Sequence, residues 1–421
     1  MLRNVWTGML KEYQRDASKD NIHSGVFTNF YPHVVYGGAH RFSENTIPKL
    51  EKMALLVWRQ FSSKKIEFAK KILPPRIAPT TEQNLEIWLQ SIDNQLQKQS
   101  IFDFRIDFED GFGYKTKEVY LSEAARVGGL LATMPVVQAR VGIRILPFQK
   151  KSTSLSLEIL TALLESFFQS SESGKLPPHF VITLPKVKHI AEIRLLADLL
   201  AEFELLHGQK IETELMLETP EAWLADIPAW LEAAGDRCTG LHLGVYDLLS
   251  SLNIPAVFQE LTHEVCQSLL LKSLAATYDK DIQVSTGAAL HLAIPSHTSP
   301  KNHTQELENQ EYIENTWRSL ATYHLEALRM GIFQGWDLHP NQIPIRIAVY
   351  HAFFQKTFSE SIFRLQHFEN QGQTAIRSGQ QFDDLASIRG ILNTFERGRL
   401  CGAFSTEQLA QIDAIKINTS F

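Results

Sequence analysis

Three acidic residues lie within four positions of one another in the stretch FRIDFEDGFGYK, residues 104–115, where Asp107, Glu109 and Asp110 follow an alternating apolar and polar run. Clustered carboxylates repel one another, and in a buried setting they persist only where a cation or a proton compensates their charge. A bound metal ion would supply that compensation. A solvated strand end that leads into a turn explains this stretch equally well, because Asp and Gly are common turn residues.

Two further carboxylates, Glu218 and Asp247, each follow an apolar run, LML before the glutamate and LHLGVY before the aspartate. Mg²⁺ takes oxygen ligands, is commonly held by one or two carboxylates and keeps several waters. A site rich in His or Cys would instead indicate zinc or iron. The pair therefore predicts a Mg²⁺ (or Mn²⁺) site. The alternative is two ion-paired or capping carboxylates, with Glu218 beside a helix that begins at Thr219 and Pro220.

The elements that must position these residues are eight short apolar runs, which alternate with longer segments of helical period. The runs are HVVYGG (33–38), FDFRIDFED (102–110), ARVGIRILP (139–147), HFVITLPKV (179–187), ELMLETP (214–220), GLHLGVYDL (240–248), IQVSTGAAL (282–290) and GWDLHP (335–340). Repeated strand-helix units predict parallel strands with right-handed crossovers, and eight of them close a TIM (β/α)8 barrel, an α/β fold. A doubly wound open sheet is the alternative.

One connecting segment shows the helical period clearly. Apolar residues recur at three- and four-residue steps after the fourth run, at Ile190, Ile193, Ala197, Leu200 and Phe203. They form one apolar stripe, which is typical of an amphipathic helix packed on a sheet.

The barrel is predicted over residues 33–345, with helical extensions at both ends, over 1–32 and over 346–421, the latter a candidate oligomerisation element. Within the barrel unit, the stretch from about 45 to 98 is predicted to be helical, with an interruption at PPRIAPTT (74–81). All of the chain after the last strand, residues 341–421, is predicted to be helical.

Charged residues stand at the ends of most of these runs. Active sites in TIM barrels are built from the C-terminal ends of the strands and the loops that follow. The residues so placed are Glu109, Asp110, Arg144, Lys186, Glu218, Asp247, Asp337 and His339. One polar residue at a strand end is usually a solvated cap, but charges at six of the eight strand ends favour a site at the barrel mouth.

The amino-acid composition limits the kinds of molecule that the protein is expected to bind. The 421 residues carry a formal charge of −6 with dispersed Lys and Arg, so we expect no nucleic-acid or membrane surface and a small-molecule partner. Cys238, Cys266 and Cys401 lie far apart, which argues against a disulfide framework or a zinc site and favours a reducing compartment. With no leader-like N-terminus and no run of about 18 apolar residues, the expected location is the cytoplasm.

Six motifs, in order and at barrel-strand spacing, resemble the HpcH/HpaI aldolase and citrate lyase beta-subunit superfamily, to which malyl-CoA lyases and malate synthases are related. The motifs are IDFEDGFG, GIRI, TLPKV, LETPEAW, GLHLGVYDL and GWDLHPNQI. The resemblance covers residues 33–345 and is closest to a branch described only as aldolase-like. It implies a homo-oligomer.

The resemblance also implies roles. Glu218 and Asp247 would hold the metal, and Arg144 would bind a carboxylate or enolate oxygen. Glu109 and Asp110, the strand-two acids, would hold the metal's waters. The full prediction is catalytic Arg144, Glu109, Asp110 and Lys186, substrate-binding Arg144, Gly244 and Thr219, and metal-binding Glu218 and Asp247. The matching residues of the closing strand, Gly335, His339, Pro340 and Gln342, are interpreted as a packed turn.

The predicted chemistry is a carbon–carbon lyase or aldolase reaction through an enolate, on a 2-oxo acid, a hydroxy acid or an acyl-CoA thioester. Glu109 or Asp110 is the candidate base, with His242 a weaker one. Lys186 would either bind a substrate carboxylate or pair with the strand-two acids.

Two departures from the family pattern weaken the thioester alternative. Leu146 stands where acyl-CoA members often have Asn, and the C-terminal tail offers only Asp383 and Asp384 in place of the family's aspartate. A free oxo or hydroxy acid is then a comparable candidate. A phosphoenolpyruvate-handling enzyme and a catalytically inactive, metal-dependent binding protein are the other interpretations.

Overall fold

Eight parallel strands close into one barrel in chain order. The computed structural model describes residues 30–135, 137–372, 375–378 and 381–417. The barrel strands are β1 His33–Gly38, β2 Asp103–Asp107, β3 Arg140–Arg144, β4 Val181–Leu184, β5 Glu212–Leu217, β6 Cys238–Leu243, β7 Gln283–Ala288 and β8 Gln334–Asp337. Pairing of β8 with β1, through His33 and Gly335, closes the cylinder. The TIM barrel predicted from the sequence is confirmed, and each of the eight predicted runs overlaps a strand.

Helices follow the strands and surround the barrel. They are α1 Thr46–Phe61, α2 Ile66–Ile72, α3 Glu82–Lys98, α4 Lys117–Thr133, α5 Thr153–Ser170, α6 Ile190–His207, α7 Pro220–Leu224, α8 Ile227–Ala234, α9 Val245–Ser251, α10 Glu264–Thr277, α11 His303–Arg329, α12 Ile343–Asn370, α13 Leu385–Leu400 and α14 Thr406–Asp413. None of these helices combines the length and the apolar character that a bilayer-crossing segment needs.

The predicted helical segment after β4 is α6. Its buried residues, Ile193, Leu196 and Leu200, lie on one stripe, and Gly208 ends the helix in the left-handed conformation (φ +65°) that favours glycine. The helical stretch predicted from 45 to 98 is also present, as α1, α2 and α3, with the Pro-rich interruption between α2 and α3.

The chain ends differ in part from the prediction. The N-terminal extension predicted over 1–32 falls almost wholly outside the described residues. After the barrel, α12 runs continuously across the boundary predicted at 345, and two short antiparallel strands, β9 Ile376–Ser378 and β10 Gln381–Asp383, separate α12 from α13. The all-helical prediction for 341–421 was wrong at this hairpin, where Asp383 pairs with Arg364 of α12 (Oδ1 to Nε, 3.0 Å).

The barrel interior is ionic near its N-terminal end, whereas TIM barrels are usually filled there by branched apolar side chains. Arg105 of β2 is fully buried, and its Nε–H lies 3.0 Å from Thr183 Oγ1 and 3.1 Å from Glu214 Oε2. Asp103 accepts from the same guanidinium, and Arg140 Nη1 donates to Glu214 Oε1 at 2.9 Å. Each buried charge therefore has partners of opposite sign, as burial requires.

Candidate active site

A cluster of charged side chains stands at the C-terminal mouth of the barrel, where the polar ends of β2 to β6 converge. We call it the mouth cluster. It comprises Asp107 at the end of β2, Glu109 and Asp110 in the turn that follows, Arg144 at the end of β3, Lys186 after β4, Glu218 after β5 and Asp247 in the first turn of α9. The structure thus brings together all the residues predicted for catalysis and for metal binding.

Arg144 is held by an acid that the sequence analysis noted but assigned no role. Its Nε and Nη2 lie 2.7 and 2.5 Å from the two oxygens of Asp107. The same carboxylate accepts the backbone N–H groups of Glu109 and Gly111, at 2.9 and 2.7 Å. Asp107 therefore fixes the guanidinium and the acidic turn together. The sequence feature that could have indicated this role is the alternation Asp103, Arg105, Asp107, which places three charges on one face of β2.

Arg144 also lies over two aromatic rings, Tyr36 of β1 and Trp336 of β8, with its Cζ 5.1 and 5.5 Å from their centroids. Its remaining nitrogen, Nη1, is 3.0 Å from Glu109 Oε2 and 3.6 Å from Asp110 Oδ2. Burial lowers the pKa of the guanidinium, but Asp107 and Glu109 more than offset this effect and raise it. The side chain is thus charged and fixed in orientation, with Nη1 facing the acids of the mouth.

Lys186 lies among three carboxylates. Its Nζ is 2.7 Å from Glu109 Oε1, 3.4 Å from Asp110 Oδ1 and 3.6 Å from Asp247 Oδ1. Its backbone N–H donates to Glu218 Oε1 at 2.7 Å, so this one residue contacts four acids. Burial lowers the pKa of the ammonium, but Glu109, Asp110 and Asp247 outweigh it and raise the pKa. Of the two alternatives for Lys186, the pairing with the strand-two acids is present, and Glu109 bridges Lys186 and Arg144.

The surroundings of Glu218 disfavour the charged form of its carboxyl group. Burial, together with the charges of Glu109 and Asp247, raises the pKa of its carboxyl to about 8. Gly244 lies against it: a Cβ at this position would be 2.1 Å from Glu218 Oε2. Gly244 thus has a steric role, because no side chain fits beside that carboxylate, and its predicted role in substrate binding stays a prediction.

The side chains of the mouth cluster determine which metal ion could bind there. Within the described part of the chain, no three His, Cys, Asp or Glu side chains converge into a ready-made metal site. The ligand atoms that the acids of the mouth cluster offer to a metal ion are all carboxylate oxygens. The cluster holds five carboxyl groups and two cations, Arg144 and Lys186. Asp247 lies close enough to Glu218 for its charge to raise the pKa of the Glu218 carboxyl. The side chain of Asp247 is 45% exposed. These features fit a hard divalent cation held by two carboxylates and waters.

Three other residues named from the sequence make structural contacts. The Thr219 hydroxyl donates to the Val187 carbonyl at 2.7 Å and caps α7, so its role in substrate binding stays a prediction. His339 Nδ1 accepts the N–H of Asn341, in the packed turn that was predicted. His242 Nε2 lies 3.4 Å from Glu214 in the buried ionic layer below the mouth.

Asp337 does not join the mouth cluster, contrary to the expectation for the strand-eight end. Its oxygens pair with Arg346 of α12, at 2.8 and 2.9 Å, and with His33 of β1 at 2.9 Å. Since adjacent residues of a strand point to opposite faces, Asp337 and the inward-facing Trp336 cannot both face the interior. In the C-terminal region, Asp383 pairs with Arg364, and Asp384 caps α13.

The chain belongs to the family described as Domain of unknown function (DUF6986), whose profile matches residues 16–419. No curated protein matches the sequence. Among solved structures, the chain is similar to a citrate lyase from Burkholderia xenovorans LB400, with 18% identity, a TM-score of 0.55 and coverage of 93% of this chain and 98% of that one. This likeness shows a shared fold, in agreement with the resemblance drawn from the motifs.

Weaker likenesses are to malate synthase of Haloferax volcanii. The lead(II) complex of that enzyme gives 12% identity and a TM-score of 0.45, and the magnesium and glyoxylate complex gives 11% and 0.44. Both alignments cover 92% of this chain and 99% of the other. At these scores they support no inference about this chain.

Proposed function

We propose that this member of the DUF6986 family is a divalent-metal-dependent carbon–carbon lyase or aldolase that acts through an enolate on a 2-oxo acid, a hydroxy acid or an acyl-CoA thioester. The observation that carries the proposal is the mouth cluster itself. A guanidinium fixed by Asp107 faces buried acids and an undercompensated Glu218 at the end of the barrel where TIM-barrel enzymes react. The six motifs in family order add support.

In this proposal Glu218 and Asp247 hold a Mg²⁺ or Mn²⁺ ion. The bound cation would act as a Lewis acid toward the oxygens of an oxo acid. Carboxylates suit this role, and the raised pKa of Glu218 is the mark of a buried acid that a cation would stabilise in its charged form.

Arg144 would stabilise the negative charge that develops on the substrate. Breaking or forming a carbon–carbon bond next to a carbonyl places charge on the carbonyl oxygen, and a guanidinium held in advance stabilises that charge without reorganising. Asp107 and the two aromatic rings hold Arg144 in place, and Nη1 is the nitrogen that faces the mouth.

Glu109 is the proposed base. It is 7% exposed, and burial and the charge of Asp110 raise its pKa, although Arg144 and Lys186 oppose the shift. A carboxylate with a raised pKa is a better proton acceptor at neutral pH than an ordinary one. Asp110, whose side chain is 61% exposed, is better placed to orient water at the rim of the site.

Proton exchange into heavy water tests the proposal. The protein, stripped of metal and then supplied with Mg²⁺ or Mn²⁺, is incubated with pyruvate or with acetyl-CoA, and loss of the α-proton signal is followed by NMR. We expect metal-dependent exchange with at least one of the two, which would also separate free acids from thioesters. Thermal stabilisation by these compounds without exchange would instead indicate a binding protein.

A further inference from the structure

We propose that the Lys186 ammonium is a built-in competitor of the divalent cation, which neutralises the mouth cluster when no metal is bound and must leave it when a metal binds. The inference rests on the proposed function, because it takes Glu218 and Asp247 as the metal ligands. It adds a residue that sets the affinity of the site for its cation.

The Lys186 ammonium lies among the acids of the mouth cluster. Nζ lies within 3.6 Å of three acids from two separate segments, Glu109 and Asp110 after β2 and Asp247 in α9, and Asp247 is a proposed metal ligand. Two positive charges that share one carboxylate repel each other strongly in a partly buried site. The side chain of Lys186 is only 22% exposed, so solvent screens that repulsion poorly.

The backbone of Lys186 points to the same conclusion. The residue adopts a left-handed conformation, φ +51°, which residues other than glycine, Asn and Asp rarely adopt. In this conformation its N–H binds Glu218 Oε1 while its side chain reaches Glu109. One residue thus contacts both proposed metal ligands, Glu218 through its backbone and Asp247 through its ammonium. Removal of the side chain leaves the backbone contact in place.

The Lys186 ammonium can also be displaced by a metal ion more readily than Arg144, the other cation of the mouth cluster. Arg144 is locked by a two-pronged contact and two rings, whereas an ammonium on a flexible four-carbon chain can move away from its partners. Once displaced by a divalent cation, it would remain near the mouth as a positive charge for an anionic substrate.

Isothermal titration of metal-free protein with MgCl2 and MnCl2 tests the inference, without reference to activity. We expect Lys186→Met to bind the metal tighter than the wild type, by about tenfold or more, because the competing charge is gone. Lys186→Arg keeps the charge and should not bind tighter. The matched control is Lys188→Met, which removes a lysine two residues away whose ammonium lies 4.0 Å from Glu221.

Melting temperatures of the same samples give a second measurement. Metal-free Lys186→Met should melt below the wild type, because its acids repel one another, and saturating metal should raise its melting temperature by more than it raises that of the wild type. Lys186→Gln, which can still hydrogen-bond the acids, replaces the Met variant if that protein does not fold without metal. Equal or weaker metal binding by both neutral variants overturns the inference but leaves the proposed metal site intact. If no variant binds either metal, the proposed function fails as well.

Discussion

Asp107 and Arg144 form a two-pronged ion pair, 2.7 and 2.5 Å long, between the last residues of adjacent strands β2 and β3. Both side chains are almost completely buried. The pair orients the guanidinium, and since Asp107 also accepts two backbone N–H groups of the acidic turn, it sets the position of Glu109 relative to Arg144.

Asp107→Asn should therefore destabilise the protein by about 3 to 5 kcal/mol, the usual cost of breaking a buried ion pair by removing the charge of one partner. Urea unfolding followed by circular dichroism measures the change. Asp93→Asn is the control, because Asp93 forms an equally regular two-pronged pair with Arg59 at the surface, where such pairs contribute about 0 to 1 kcal/mol. Similar losses in the two variants would show that burial does not strengthen the Asp107 pair.

Glu218 gives the stability of the metal-free protein a specific pH dependence. Its pKa is about 8 in the folded protein and about 4.3 in an unfolded chain. Between these values the folded protein holds a proton that the unfolded chain has released, so this group lowers the free energy of unfolding by about 1.4 kcal/mol per pH unit as the pH rises. Below the lower value the penalty is absent, and above the upper value it is complete.

Glu218→Gln removes this penalty. In the presence of a chelator, the variant should gain stability over the wild type progressively from about pH 5 to pH 8, after which the difference should level off. Urea unfolding at several pH values measures it. A difference that does not change with pH would contradict the raised pKa of Glu218.

Gly244→Ala should displace the Glu218 carboxylate, because the added Cβ would lie 2.1 Å from Oε2. We expect Mg²⁺ affinity to fall by about 10- to 100-fold, as for other changes that misplace a metal ligand. Gly390→Ala is the control: nothing lies within 4 Å of that Cβ in α13, so affinity should stay unchanged and stability should rise by up to about 1 kcal/mol. Unchanged affinity in Gly244→Ala would argue against Glu218 as a ligand.

The barrel could be predicted from the sequence because eight apolar runs alternate with helical segments, and few topologies other than a closed parallel barrel fit that pattern. The mouth residues could be predicted because parallel strands bring their C-terminal ends to one place. The role of Asp107 was not recognised, since the pairing partner of a strand-end acid depends on the register between β2 and β3, which a single sequence does not reveal. Asp337 was misplaced for a related reason: the pattern GWDLHP does not show which of two adjacent residues faces inward.

The ionic layer beneath the mouth was missed for a different physical reason. Arg105, Arg140 and Glu214 lie on three different strands, and from the sequence alone a charged residue in a strand is expected to be solvated. Only closure of the barrel brings them together, with Arg105 Nη2 2.5 Å from Glu214 Oε1. Long-range contacts of this kind carry no local sequence signal.

The last prediction concerns Glu109, whose two oxygens contact Arg144 and Lys186. Its raised pKa means that the fold disfavours the charged form, so Glu109→Gln should keep the melting temperature of the metal-free protein or raise it. If Glu109 is the base, the same change should lower metal-dependent proton exchange by about 10²- to 10⁴-fold. Both quantities are measured on one preparation.

Glu123→Gln is the matched control for Glu109, because Glu123 pairs with Arg126 at the surface of α4. Its neutralisation should change stability by about 0 to 1 kcal/mol and leave exchange unaltered. A purely structural Glu109 would give the reverse of the expected pattern, since losing an ion-pairing acid would lower the melting temperature while each folded molecule kept its exchange rate. A destabilised but fully active Glu109→Gln protein would remove this residue from the mechanism, and the base would then have to be sought at Asp110.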